Sequence, residues 1–318
     1  MTSTTKHDKP LLGVFLMLGF CFVAPMGDAT AKLLGDRVPL VQVLLWRFGL
    51  QACLLIPLVA LTGRIWRMHG TVLWLTALRT VLHILGIGMM FSALRYLPLA
   101  DAVAIAFVMP FIMLLLGHVV LGEEVGWRRL IACLVGFIGT LLVVQPSFQE
   151  VGWPALLPIG VAVNFSVFML VTRQIAKKTD PIGLQAVSGV MAVFIILPIL
   201  VFVPAGTTPG VGWIAADAPS LGLLVAIGAL GTLAHLLMTW SLRYAPSATL
   251  APMQYLEIPI ATFIGLIVFA DLPNGLAAIG IMITLAAGLY IVIRERATSQ
   301  SQDQAMKIEA TAQPQVAE

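Results

Sequence analysis

The chain has 318 residues, of which 59% are hydrophobic and 10% charged, and a formal net charge of +3. A soluble domain carries roughly a quarter charged residues. No water-soluble fold of this size could hide so much apolar surface, so the bilayer must solvate most of it. The three cysteines, Cys21, Cys53 and Cys133, all fall inside apolar runs, and their spacing matches no zinc or redox pattern.

In chain order, about ten apolar segments are long enough to span a ~30 Å hydrocarbon core as helices of roughly 20 residues. Their expected bounds are 10–33, 40–61, 71–92, 99–121, 127–145, 153–174, 183–203, 219–241, 248–269 and 273–293. The first run mimics a secretory signal, with Lys6 and Lys9 before it and Ala29-Thr30-Ala31 within it. It is too long for one and is read as the first span. The polar ends, 1–9 and 295–318, lack apolar periodicity and read as tails, the second disordered.

One stretch occurs twice. Residues 94–146 begin LRYLPLADA, and from Leu242 the chain repeats the theme as LRYAPSATL. Arg95, Tyr96 and Pro98 return as Arg243, Tyr244 and Pro246; Pro110 returns as Pro259, Glu123 as Asp271 and Gly139 as Gly288. The offset is 148 early (243 − 95) and 149 late (288 − 139). Thr30 and Pro39 match Thr172 and Pro181 more faintly, while nothing in the second half matches Trp46-Arg47. The expected fold is therefore an all-α membrane protein of about ten transmembrane helices, arranged as two five-helix repeats. Their expected bounds are 10–146 and 153–294. An odd number of helices per repeat inverts the second relative to the first. Of the 18 Lys and Arg, thirteen then fall on one side, Lys32, Arg37 and Arg95 on the other, and Arg47 and Arg79 within spans. By the positive-inside rule the richer side, with both termini, is cytoplasmic.

These halves, the LRYLPLADA entry to the fourth helix, Pro110 within it, and LGEEVGWRRLIACLVGFIGTLLVV after it resemble the drug/metabolite transporter superfamily in its ten-helix EamA-type branch. The resemblance covers about residues 10–295. The second half departs from the pattern, since FADLPNG stands where Leu-Gly-Glu is usual, and Asp271 carries the acidic role only loosely. The resemblance implies a secondary transporter of the bacterial inner membrane with a central cavity between the halves. Substrates across such proteins include amino acids, S-adenosylmethionine, riboflavin, nucleotide sugars and drugs.

Chemistry-bearing motifs are sparse. There is no G-x-x-x-x-G-K-[ST] for ATP hydrolysis and no H-E-x-x-H or clustered Cys/His for a metal. No nucleophile–base constellation argues for an enzyme, and no cofactor, metal or nucleic-acid partner is expected. What remains is polarity inside the spans, where a charge costs at least ~2.5–3.5 kcal/mol. Asp28, Arg47, Arg79 and Glu257 are such charges, and they need partners or a wet cavity. Equal depth along their helices pairs Asp28 with Arg47 and Arg79 with Glu257. His83, one turn after Arg79, suits proton binding. Asn164 sits mid-helix, and Gln254 and Tyr255 accompany Glu257. These eight residues form the candidate substrate- or proton-binding set. Trp46, Trp74, Trp240 and Met253 are further candidates for an apolar wall, and Pro252 and Pro259 for opening backbone groups to a substrate. Glu123 and Glu124 complement the dipole of the fifth helix.

The leading reading is transport of a small polar metabolite, zwitterionic or amphipathic, by alternating access. The expected partners are that substrate and the lipid bilayer, with protons and a second copy of the chain as further candidates. The competing reading is a membrane scaffold or sensor without flux, for which buried charges would have no use.

Overall fold

A computed structural model describes residues 10–109, 111–112, 115–116, 127–176, 178–204, 207–245, 250–287, 289–290 and 293. Every regular element among them is helical. The helices are α1 (Pro10–Leu34), α2 (Leu40–Thr62), α3 (Gly70–Ala93), α4 (Leu99–Ala106), α5 (Trp127–Val151), α6 (Leu157–Ala176), α7 (Pro181–Phe202), α8 (Ala218–Tyr244) and α9 (Glu257–Phe269). A shorter apolar helix follows, α10 (Gly275–Ala287). Among the described residues, seven helices are long and apolar enough to cross a membrane. The chain is therefore a multi-pass membrane protein. Both tails, Pro110, and Glu123 with Glu124 lie outside the described residues.

Local chemistry explains most boundaries. Gly63 ends α2 in the left-handed region, which a residue without Cβ adopts at little cost. Asp180 opens α7, its side chain accepting from the amides of Ile182 and Gly183, with Pro181 in the first turn. Asp217 opens α8 in the same way through the Ser220 amide. Hydrogen bonds from Ser220 hold the Asp217 carboxyl below its usual range. Three elements depart from expectation. The fourth span, expected over 99–121, leaves the α-helix after Ala106, and much of its remainder lies outside the described residues. α5 does not stop before Pro146 but runs to Val151, and Gly152 at φ 71° ends it. The ninth span does not begin as an α-helix: Ala251–Leu256 is a 3-10 helix, and α9 starts at Glu257.

Packing is dominated by pairs with one member from each half of the chain. α1 lies against α8, α3 against α6, α2 against α7 and α8, and α4 against α9. α5 and α10 approach through Gly139 and Gly280: a Cβ on Gly280 would lie 2.5 Å from the Gly139 carbonyl oxygen. Polar contacts mark two ends of the bundle. At one, Lys32 Nζ meets Asp271 Oδ2 at 2.8 Å and donates to the Leu97 carbonyl, while Arg95 donates to the Val38 carbonyl. At the other, Arg64 Nη1 meets Asp180 Oδ2 at 3.0 Å and Arg243 donates to the Thr179 carbonyl. That second end is tightly closed. Gly183 faces the Ile65 backbone so closely that an added Cβ would overlap it, and Gly13 sits against Ala245.

Candidate functional site

Seven helices contribute to one cavity, with about 950 Å³ of space between its walls, including the part open to solvent. α1 supplies Phe20 and Asp28, α2 supplies Arg47, and α3 supplies His83 and Phe91. α4 adds Phe107, α6 adds Phe165, and α8 adds Gly231 and His235; Glu257, the first residue of α9, completes the polar part of the wall. The lining therefore draws on both halves of the chain. It lies nearer the Lys32–Asp271 end, for Asp28 is one turn from Lys32, whereas His235 is nine residues from Tyr244 (244 − 235). At 1.5 Å per residue that leaves about 14 Å of closed protein below it.

Each polar residue has a local reason to be there. Glu257 opens α9, where the helix dipole favours a carboxylate. The preceding 3-10 turn rises about 2.0 Å per residue rather than 1.5, and so carries Glu257 up to the level of the cavity. Arg47 is buried, and its Nη1 donates to Gln51 Oε1 at 2.9 Å, one turn along α2. Its stem crosses α8 at Gly231, where a Cβ would overlap the guanidinium. His83 and His235 meet across the halves, Nε2 to Nε2 at 3.1 Å, with their rings enclosed by Phe20, Phe48 and Phe168. One imidazole donates there and the other accepts, and both Nδ1 atoms are buried without a partner among the described residues.

Four of the eight candidates thus share the cavity: Asp28, Arg47, His83 and Glu257. Arg79, Asn164, Gln254 and Tyr255 are not part of its wall. The expected pair of Arg79 and Glu257 is not formed. Arg79 donates through Nε to Thr172 and through Nη1 to Ser188, each at 3.0 Å, and its guanidinium lies 4.7 Å from the Phe168 ring centroid. Neither depth nor face matches: the 3-10 turn lifts Glu257 to the cavity, above the level of Arg79, and Arg79 looks toward α6 and α7 while α9 lies against α1 and α4. Asp28 and Arg47 come closer to expectation. They share the cavity and lie within Coulombic reach, though not in ion-pair contact. Among the described residues the ion pairs are Lys32–Asp271 and Arg64–Asp180. Glu257 lies within Coulombic reach of Asp28 instead.

Asn164 has a structural place. Its Nδ2 donates to the Leu82 carbonyl at 2.8 Å, and it lies where a Cβ on Gly86 would be, so it pins α6 to α3. Tyr255 stacks near Phe107, with centroids 5.4 Å apart, and Gln254 is wholly buried beside it in the 3-10 turn. Trp46, Trp74 and Trp240 are absent from the wall, and Trp74 is largely exposed on the bundle surface.

His235 was not expected, although a signal existed. His83 precedes the repeat's Leu94 by 11 residues (94 − 83), and His235 precedes Leu242 by 7 (242 − 235). The difference is one helical turn, so the two histidines occupy corresponding faces.

Two copies of a family profile, described as the EamA-like transporter family, match residues 11–145 and 152–294. The chain belongs to that family. Among curated relatives, an S-adenosylmethionine uptake transporter of Rickettsia prowazekii (strain Madrid E) is 23% identical over 92% of this chain and 96% of its own. A riboflavin transporter of Brucella anthropi is 26% identical over 90% of this chain and 100% of its own. Another riboflavin transporter, from Rhizobium johnstonii, is 26% identical over 81% of this chain and 82% of its own. A solved crystal structure superposes with a TM-score of 0.64 at 16% identity, covering 91% of this chain and 98% of that one, and so shares the fold.

Proposed function

We propose that the protein is a secondary transporter that carries a small polar metabolite across a bacterial inner membrane by alternating access of two inverted five-helix halves. The observation that carries this reading is the cavity. It is walled by both halves and holds two carboxylates and a guanidinium that no ion pair among the described residues consumes. A scaffold or sensor has no use for such groups, each of which is costly to keep in a membrane.

The packing supports inverted halves. If α1 to α5 correspond to α6 to α10, a two-fold axis turns the α1–α8 contact into the α6–α3 contact. It also turns α2–α8 into α7–α3, and maps α2–α7 and α4–α9 onto themselves. All these contacts are present, and the twofold match of the family profile agrees with them. The uneven distribution of Lys and Arg supports cytoplasmic termini.

Charge favours a substrate with one carboxylate and at least one cationic centre, of the amino-acid or S-adenosylmethionine kind. Arg47 would meet the carboxylate, and Asp28 and Glu257 the cationic centres. The same two carboxylates are where a coupling proton would ride. Phe20, Phe91, Phe107 and Phe165 offer apolar wall to the body of the molecule, and they are the feature that favours a flavin as the second reading. The test is a thermal-shift panel on purified protein followed by flux into proteoliposomes. S-adenosylmethionine or an amino acid should raise the melting temperature and be transported, since a ligand stabilises by mass action. Riboflavin flux without any response to zwitterions would move the assignment to the second reading. No flux of any panel member would overturn the transporter reading.

A further inference from the structure

Below the cavity, toward the Arg64–Asp180 end, lies a second polar feature. Gln51 donates to the backbone carbonyl of Gln185 at 2.7 Å and to its Oε1 at 3.2 Å. Gln185 donates to the His235 carbonyl at 3.0 Å and to Thr239 Oγ1 at 3.1 Å. Arg79 reaches Thr172 and Ser188 at the same depth. Gln51, Arg79, Thr172, Gln185, Ser188 and Thr239 all have 0% exposure. The layer is continuous with the cavity, because Arg47 binds Gln51 and His235 belongs to both.

Three properties set this layer apart from an ordinary core. First, where it meets the cavity it holds more polar groups than it satisfies: among the described residues, Nη2 of Arg47, Nη2 of Arg79, and Nδ1 of His83 and His235 are buried without a partner. A buried donor or acceptor left unmade costs about 1–3 kcal/mol. Four orphans in one region are poorly explained by stability, and are explained by a second state in which water or a ligand reaches them. Second, its hydrogen bonds divide by half. Gln51–Gln185, Arg79–Thr172, Arg79–Ser188 and His83–His235 each join the first half of the chain to the second. Arg47–Gln51 and Gln185–Thr239 stay within one half. A rocking of the halves would part the first group and leave the second intact. Third, its charges are the guanidiniums of Arg47 and Arg79, with no carboxylate among the described residues hydrogen-bonded to either.

We propose that this buried layer is the second leg of the substrate path, a binding surface for the carboxylate end of the substrate that fills with water when the Arg64–Asp180 end opens. The inference rests on the alternating-access reading above. In the present state the cavity is formed and the layer is zipped. In the opposite state the orphaned polar groups face solvent, and the two guanidiniums hand a carboxylate from one level to the next.

The experiment is thiol labelling of the full-length transporter in oriented membrane vesicles, with Cys21, Cys53 and Cys133 replaced by serine. Ser188→Cys and Thr239→Cys are near-isosteric reporters in the layer, and Leu230→Cys reports on the cavity wall. The probe is a charged, membrane-impermeant methanethiosulfonate, applied to one face at a time. Both layer cysteines should react from the Arg64–Asp180 face about tenfold faster than the lipid-facing native Cys53 measured alone, because thiol reactivity follows access to water. If Leu230→Cys reacts from both faces while neither layer cysteine reacts, the path runs elsewhere and this inference falls alone. The same holds if the layer cysteines react only from the Lys32–Asp271 face. If Leu230→Cys reacts from one face only, alternating access fails, and this inference fails with it.

Discussion

Lys32 Nζ lies 2.8 Å from Asp271 Oδ2, and so joins α1 of the first half to the segment between α9 and α10 in the second. At the far end Arg64 Nη1 lies 3.0 Å from Asp180 Oδ2, again joining the two halves. Neither pair is deeply buried, with side-chain exposures of 18% and 35% in one and 38% and 18% in the other. Each is therefore worth about 0.5–1 kcal/mol at most. Small contacts at opposite ends suit a protein that must break them in turn.

That yields the first prediction. Arg64→Gln removes one pair while leaving Asp180 free to cap α7, so it weakens closure at that end without unwinding a helix. Labelling of Leu230→Cys from the Arg64–Asp180 face should rise roughly two- to fivefold, the population shift that 0.5–1 kcal/mol supports. Asp271→Asn should raise labelling from the other face by a similar factor. Equal changes on both faces for either variant would mean that the pairs do not bias the two states.

Gly231 provides a second prediction. A Cβ there would overlap Arg47, whose stem lies across it. Gly231→Ala should therefore push the guanidinium from its place beside Gln51 and the cavity. The melting temperature of the ligand-free protein should fall by a few degrees, and stabilisation by any panel substrate should drop at least about tenfold in apparent affinity, the scale of one lost charge-assisted contact. A substrate response unchanged from the parent would show that Arg47 does not meet the ligand.

Asn164 tests the opposite case. It donates to the Leu82 carbonyl at the α3–α6 contact and stays off the cavity wall. Asn164→Ala should cost about 1 kcal/mol of stability, with flux per folded molecule held near that of the parent. A collapse of flux at unchanged melting temperature would return Asn164 to the site.

The contrast between Asn164 and Asp28 shows what the sequence could and could not reveal. Apolar runs and breakers located the starts of most described helices to within a few residues, because a membrane helix must satisfy its backbone internally. Depth along each helix was legible too, and it brought Asp28 and Arg47 to one cavity. Azimuth was not. Arg79 and Glu257 lie on helices whose facing surfaces depend on which neighbours pack, and mutual depth says nothing about that. The 3-10 turn before Glu257 was hidden for a related reason: Pro252 announces an irregularity, but only the packing of the segment decides where the regular helix resumes. His235 was missed because each histidine was weighed against others on its own helix, whereas the contact runs between corresponding helices of the two halves.

The last prediction concerns Glu257 and its neighbours. Among the described residues Glu257 makes no ion pair, and the carboxyl of Asp28 on α1 lies within its Coulombic reach. Replacing it by the isosteric Gln therefore leaves no cation stranded. Glu257→Gln should leave the melting temperature of the ligand-free protein unchanged or slightly raised, while transport of a substrate with a cationic centre collapses. Asp28→Asn should behave alike. Had Glu257 been paired with Arg79, the same change would have left a buried guanidinium uncompensated, at a cost of several kcal/mol. The two possibilities thus differ in sign as well as size. Additivity sharpens the comparison. Glu257→Gln combined with Arg79→Gln should change stability by the sum of the single effects within about 0.5 kcal/mol, as expected for side chains that do not touch. A larger coupling, or a clear loss of melting temperature in Glu257→Gln alone, would restore the ion pair that the geometry denies. Normal flux per folded molecule in Glu257→Gln would remove Glu257 from the substrate site.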